Sequence, residues 1–166
     1  MDCDRSLEKK TAFSMRNGSR GNTTKFEIDN HQHVSAPKIM LVDDEKIVLH
    51  FVKRVLKKYR FTVECFADPV EALCRFQKAP YQYDLVITDQ AMPEMLGSEM
   101  TAHMLQTRPE LPIILSSGYS NFIDEHNVHE YGFCYFLAKP IILEGLLKAI
   151  EDCLTSQHSN VSLITR

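Results

Sequence analysis

Apolar residues along this chain fall into short continuous runs, separated by segments in which apolar positions recur every three or four residues. The short runs are rich in branched side chains and predict five buried strands. The segments between and after them carry one apolar face and predict five amphipathic helices. Strands that alternate with helices in this way predict an α/β fold with a doubly wound, five-stranded parallel sheet. The predicted strands lie at about 38–42, 61–66, 85–87, 112–118 and 133–138, and the helices at about 46–59, 69–79, 98–108, 121–129 and 142–154.

This pattern divides the chain into one domain and two polar ends. Residues 1–36 show no periodicity and are predicted to be a flexible arm, and residues 156–166 a short polar tail. Residues 37–155 then form the single domain. Asp44 is predicted to be the N-cap of the first helix, and Asp68, followed by a proline, to be the N-cap of the second.

Composition argues against nucleic-acid-binding, membrane-spanning and disulfide-rich secreted proteins. The chain has 166 residues, a formal charge of -3 and a hydrophobic fraction of 44%, so it has enough apolar residues for a core and no basic excess that would favour nucleic acid. The apolar runs are too short to span a bilayer, and no signal peptide is recognisable. We therefore expect a cytoplasmic protein whose five irregularly spaced cysteines are idle thiols in a reducing environment, without a disulfide framework or zinc site.

Polar residues that could carry chemistry lie at the carboxyl ends of four of the predicted strands. Because the carboxyl ends of parallel strands meet at one edge of the sheet, these side chains should lie close together. Neighbouring carboxylates repel each other unless a cation joins them, and Mg²⁺ prefers such oxygen ligands. A metal ion and a lysine could neutralise a phosphoryl group while a carboxylate accepts it. The residues at this edge are Asp43, Asp44, Asp89, Ser117 and Lys139.

The same strand ends resemble the receiver domains of two-component response regulators. Four motifs carry the resemblance: Leu-Val-Asp-Asp-Glu at 41–45, Thr-Asp-Gln-Ala-Met-Pro at 88–93, Leu-Ser-Ser-Gly-Tyr at 115–119 and Phe-Leu-Ala-Lys-Pro at 136–140. The resemblance as a whole covers roughly residues 37–155. Similarity to this family implies the flavodoxin-like strand order 2-1-3-4-5, an order that is described for a chemotaxis receiver.

The resemblance also implies a role for each matching residue. Asp89 corresponds to the phosphoacceptor, and Lys139 to the family's lysine, with a cis peptide bond expected before Pro140. Ser117 corresponds to the switch hydroxyl, although a slip of one residue would exchange it with Ser116. The implied Mg²⁺ ligands are Asp43, Asp44, Asp89 and the backbone carbonyl of Ala91, and the implied aromatic switch is Phe136.

By this resemblance the protein is a phosphoacceptor signalling domain rather than an enzyme. Its expected partners are a histidine kinase or histidine phosphotransfer protein and an unknown downstream protein, with no nucleic acid. Three other classes of protein compete with this interpretation. A receiver-like scaffold without phosphorylation stays open, and a Mg²⁺-dependent phosphatase with an aspartate nucleophile is disfavoured because Asp43-Asp44 does not match its Asp-x-Asp motif. A dinucleotide-binding domain is excluded, because it would need a Gly-rich turn after the first strand, where this chain has Asp43 and Asp44.

The resemblance leaves the context of the domain open. It could stand alone, act within a phosphorelay or come from a hybrid sensor kinase. No output domain is expected after residue 155.

Overall fold

The computed structural model describes residues 36–118 and 123–160, with side chains described as far as Thr155. The predicted arm therefore lies outside the described residues except for Ala36. Residues 161–166 of the predicted tail, and Tyr119 in the third motif, also lie outside them.

Five parallel strands form one sheet in the order β2-β1-β3-β4-β5, which confirms the predicted fold and strand order. Strand β3 lies at the centre, and each of its five residues is buried, as expected for a parallel strand covered on both faces. The strands are β1 (Lys38–Val42), β2 (Thr62–Phe66), β3 (Leu85–Asp89), β4 (Ile113–Ser117) and β5 (Tyr135–Ala138).

Within the described ranges, four α-helices cover the two faces of the sheet: α1 (Lys46–Lys58), α2 (Pro69–Lys78), α3 (Gly97–Thr107) and α4 (Leu143–Asn160). One core packs under α2 and α3, and the other under α1 and α4. Helix α2 begins as predicted, because Asp68 accepts hydrogen bonds from the backbone N–H groups of Val70 and Glu71. None of the described helices is both long and apolar enough to cross a membrane.

The start of α1 differs from the prediction. Glu45 rather than Asp44 is the N-cap residue, and its side chain makes no capping bond. Asp43 Oδ1 instead accepts from the Glu45 backbone N–H at 2.9 Å. The acid at the strand end thus organises the turn into the helix, and Asp44 lies exposed on that turn.

The helix predicted at 121–129 is not an α-helix in its described part. Residues 125–127 form turns, followed by one short 3₁₀ segment at Val128–Tyr131. Asp124 Oδ1 accepts hydrogen bonds from the backbone N–H groups of His126 and Asn127. Such local bonds compete with helical ones, which explains why the periodicity was misleading.

The expectation that all cysteines are idle thiols was wrong for two of them. A disulfide joins Cys134, just before β5, to Cys153 on α4. Cys65 and Cys74 are free. Helix α4 also continues to Asn160, six residues beyond its predicted end, so that residues 156–160 of the predicted polar tail are helical.

Candidate functional site

Two carboxylates and one ammonium meet at the carboxyl edge of the sheet. Lys139 Nζ lies 2.7 Å from Asp89 Oδ1 and 2.9 Å from Asp43 Oδ2. Asp89 and Asp43 are only 5% and 2% exposed. The structure therefore brings together three of the residues that the sequence placed at this edge, and one half-buried lysine bridges the two acids.

Backbone groups fix the orientation of both carboxylates. The second oxygen of Asp89 accepts from the Ala91 N–H at 2.8 Å, as Asp43 Oδ1 does from Glu45. The Lys139 backbone N–H donates to the Ser117 carbonyl at 2.8 Å, and the bond between Lys139 and Pro140 is cis, as predicted. The reactive groups are thus held on strand ends and short turns rather than on long loops.

Burial and neighbouring charges shift the pKa values of Asp43 and Lys139 in opposite directions. Burial raises the pKa of Asp43, and the hydrogen bonds from Lys139 and the Glu45 backbone offset this only in part. Burial lowers the pKa of Lys139, but its bonds to Asp89 and Asp43 outweigh this effect and hold that pKa above its ordinary value. Lys139 is therefore a cation at neutral pH.

The remaining predicted residues surround this cluster. Asp44 lies at the mouth of the site with its side chain exposed, while Ser117 is buried at the end of β4. Phe136 is half-buried against the core under α2 and α3. A shallow cavity of about 140 Å³ lies beside Phe136 and is also lined by Glu125, Val128, His129, Cys134 and Tyr135.

Sequence reasoning missed Glu45 and the Gln90–Ser98 pair. Glu45 Oε1 lies 3.5 Å from Lys139 Nζ, and the run of three consecutive acids was the available signal. Gln90 exchanges two hydrogen bonds with Ser98, through Oε1 to the Ser98 N–H and through Nε2 to its hydroxyl. This pair fastens the loop after Asp89 to the first turn of α3, and no motif in the sequence indicated it.

Gly97, the first residue of α3, has a steric role. A Cβ atom at this position would overlap the carbonyl oxygen of Asp89. The Gly97 N–H donates to the Gln90 carbonyl at 3.0 Å. The first turn of α3 can therefore lie directly against the backbone of Asp89 only because residue 97 has no side chain.

A set of oxygen ligands suitable for Mg²⁺ is present, but the ligands are not yet arranged around a common point. Among the described residues, no three acidic, histidine or cysteine side chains converge on a metal position. Asp43 and Asp89 are hard oxygen donors already bridged by one positive charge, which fits a divalent cation chemically. Asp44 would have to turn inward to join them.

Residues 39–151 match the response regulator receiver domain, and the chain belongs to this family. It is 31% identical over 119 residues to the sensor kinase CckA of Brucella abortus. The aligned region covers 72% of this chain and 13% of the relative. The chain thus spans a small fraction of that relative's length.

Solved structures agree with the family assignment. The chemotaxis protein CheY4 of Vibrio cholerae has a TM-score of 0.63 and 30% identity, with 72% of this chain and 99% of that chain covered. A receiver domain protein of Clostridium thermocellum has a TM-score of 0.70 at 24% identity, covering 75% of this chain and 98% of the other, and shows the shared fold. The protein is thus a receiver domain of two-component phosphorelay signalling, a class that interacts with histidine kinases and phosphotransfer proteins.

Proposed function

We propose that this receiver domain accepts a phosphoryl group on Asp89 from the phosphohistidine of a kinase or phosphotransfer protein. The observation that carries the proposal is the placement of Asp89. Its carboxylate is buried at the end of the central strand and is held between the Lys139 ammonium at 2.7 Å and the Ala91 N–H at 2.8 Å. A carboxylate fixed beside a cation is suited to attack a phosphorus atom.

In the proposed step an Asp89 oxygen forms a bond to phosphorus while the bond from phosphorus to the donor imidazole breaks. The imidazole leaves with the bonding electrons and takes up a proton, and Asp89 becomes an acyl phosphate. Lys139 neutralises part of the phosphoryl charge. Because its pKa lies above the ordinary value, it stays protonated throughout. The protein supplies the acceptor and its environment, so the only catalysis is of its own phosphorylation.

Mg²⁺ is the proposed cofactor. Asp43, Asp44, Asp89 and the Ala91 carbonyl would hold it, and it would supply positive charge for the phosphoryl oxygens. Burial raises the pKa of Asp43 because the ionised carboxylate is poorly hydrated there, and Lys139 offsets this only in part. A second positive charge at this site would therefore stabilise the carboxylate further.

We propose that phosphorylation is signalled to other proteins through a conformational change at β5. Ser117 would donate its hydroxyl to a new phosphoryl oxygen, and Phe136 would turn toward the space that this movement leaves. The shallow cavity beside Phe136 shows that the ring is not closely packed on every side. A downstream protein, rather than nucleic acid, would bind the altered surface.

An exposed apolar surface beside the site suits the donor. Ile47 is 84% exposed and Phe51 is 49% exposed on α1, although their spacing predicted a buried face. Ile142 is 67% exposed and follows Lys139 by three residues. The contact between Lys139 and Glu45 places these two segments next to each other. We propose that they dock the protein that carries the phosphohistidine, in the cytoplasm.

Intact-mass spectrometry after incubation with acetyl phosphate and Mg²⁺ tests the proposal. Wild type should gain one phosphoryl mass, and Asp89→Asn should gain none. Asp84→Asn is the matched control, because Asp84 is an exposed acid just before the same strand, and it should behave like wild type. Failure of wild type to gain mass, or a gain in Asp89→Asn, would reject Asp89 as the acceptor and leave the scaffold alternative.

A further inference from the structure

The hydroxyl of Ser116 is buried without a hydrogen-bond partner among the described residues. The residue is 2% exposed, and its Oγ is one of two buried side-chain polar atoms in that part of the chain with no partner. Burying an unpaired hydroxyl costs stability. An alanine at this position would avoid that cost, so the presence of a serine calls for an explanation.

The sheet register places this hydroxyl beside the proposed phosphoacceptor. Asp89 pairs with Ser116, which in turn pairs with Leu137, so the three residues form one row across β3, β4 and β5. Ile87, Ile114 and Leu137 all belong to the core under α1 and α4. Because side chains alternate along a strand, Asp89 and Ser116 extend from this same face of the sheet.

Lys139 must cross this row to make its ion pair. It follows β5, whereas Asp89 lies on β3, and β4 with Ser116 runs between them. An ammonium has three donors, and Asp89, Asp43 and Glu45 all lie within 3.5 Å of this one. As long as these three acceptors hold the lysine, it has no donor to spare for Ser116.

We propose that Ser116 is a positioning residue for phosphoryl acceptance, an inference that rests on the proposed role of Asp89. When a phosphoryl group forms on Asp89, Lys139 exchanges two contacts for one phosphoryl oxygen: that with the Asp89 carboxylate and that with the exposed Glu45, which at 3.5 Å is the longest of the three. One donor of the ammonium thereby becomes free. The Ser116 hydroxyl then accepts a hydrogen bond from the Lys139 ammonium and donates one to the phosphorylated Asp89 side chain. It keeps Lys139 and Asp89 aligned while their direct ion pair is open. Ser117, one residue later, lies on the alternate position of the strand and serves the phosphoryl group separately.

The test compares phosphorylation rates of wild type, Ser116→Ala and Ser116→Thr with acetyl phosphate and Mg²⁺, followed by intact mass. Loss of one hydrogen bond corresponds to a rate about two- to tenfold lower, which is the result expected for Ser116→Ala. Ser116→Thr, which keeps the hydroxyl, should recover most of the rate. Thr155→Val, which removes a hydroxyl on α4 away from the site, is the control and should keep the wild-type rate.

Two further readouts separate positioning from structure. Calorimetric affinity for Mg²⁺ should be the same in Ser116→Ala and wild type, and the melting temperature of Ser116→Ala should be equal or higher, because no native hydrogen bond is lost. A wild-type rate in Ser116→Ala, or a rate loss that accompanies weaker Mg²⁺ binding and a lower melting temperature, would overturn the inference. If wild type accepts no phosphoryl group, the proposed function fails first and this inference fails with it.

Discussion

Reduction of the disulfide between Cys134 and Cys153 should weaken the domain measurably. The bond joins the segment entering β5 to α4 and spans a sequence separation of 19 residues. A loop of this size corresponds to about 3 kcal/mol of unfolding free energy at 25 °C, through the entropy that the bond removes from the unfolded chain. For a domain of this length, such a change lowers the melting temperature by about 10 °C.

The assay is thermal unfolding followed by circular dichroism, with and without dithiothreitol. Reduction is preferable to substitution, because Cys153 is only 1% exposed and a serine there would add the cost of a buried hydroxyl. Cys74→Ser is the matched control. Cys74 is a free, exposed cysteine, so this variant should melt like wild type and respond to reductant to the same extent.

Thiol titration under denaturing conditions shows whether the bond was present and was then reduced. A melting temperature that stays the same although reductant releases two additional thiols would refute the reasoning from loop entropy. Oxidised protein in which Cys134 and Cys153 both react as free thiols would contradict the bond itself.

Two other predictions concern glycine positions and a surface carboxylate. Gly97→Ala should lower the free energy of unfolding by about 1–3 kcal/mol, because its Cβ has no room, whereas Gly145→Ala on α4 should raise it by up to about 1 kcal/mol; urea unfolding measures both. Glu64 loses hydration on burial, but bonds from Lys38, Arg75 and Tyr83 hold its pKa at about 2. Its stabilisation is therefore present above pH 4.5 and lost as the pH falls toward 2. Glu64→Gln should cost about 1–2 kcal/mol at pH 7, after allowance for solvent screening, and much less near pH 2; equal costs at both pH values would contradict this.

The fold was predictable because each strand carries its own signal. Buried parallel strands such as β3 contain a continuous apolar run, here residues 85–87, and the polar residues that follow each run are then fixed at one edge of the sheet. The strand order came from the family resemblance. The grouping of Asp43, Asp89 and Lys139 followed from topology alone.

Contacts between distant segments could not be predicted in the same way. The pairing of Cys134 with Cys153 depends on how α4 packs on the sheet, and spacing along the chain does not encode it. Phe51 follows the helical period but lies beyond the edge of the core, so periodicity indicated burial where the structure has an exposed side chain. Local side-chain bonds around Asp124 similarly overrode a helical pattern.

The close approach at Gly97 illustrates a third limit. A glycine after a loop predicts backbone freedom, yet the structure requires it for contact with the Asp89 carbonyl. Only the packing of α3 on the end of β3 distinguishes these two explanations.

Chemical mapping of the phosphoryl group tests the central claim most directly. Wild type treated with acetyl phosphate and Mg²⁺ is reduced with borohydride, which converts an aspartyl phosphate to homoserine, and the peptides are then sequenced by mass spectrometry. Homoserine at position 89 is the predicted result, with none at Asp43, Asp44 or Asp84. Homoserine at another aspartate, or phosphorylated protein that yields no homoserine, would contradict the assignment of Asp89 as the phosphoacceptor.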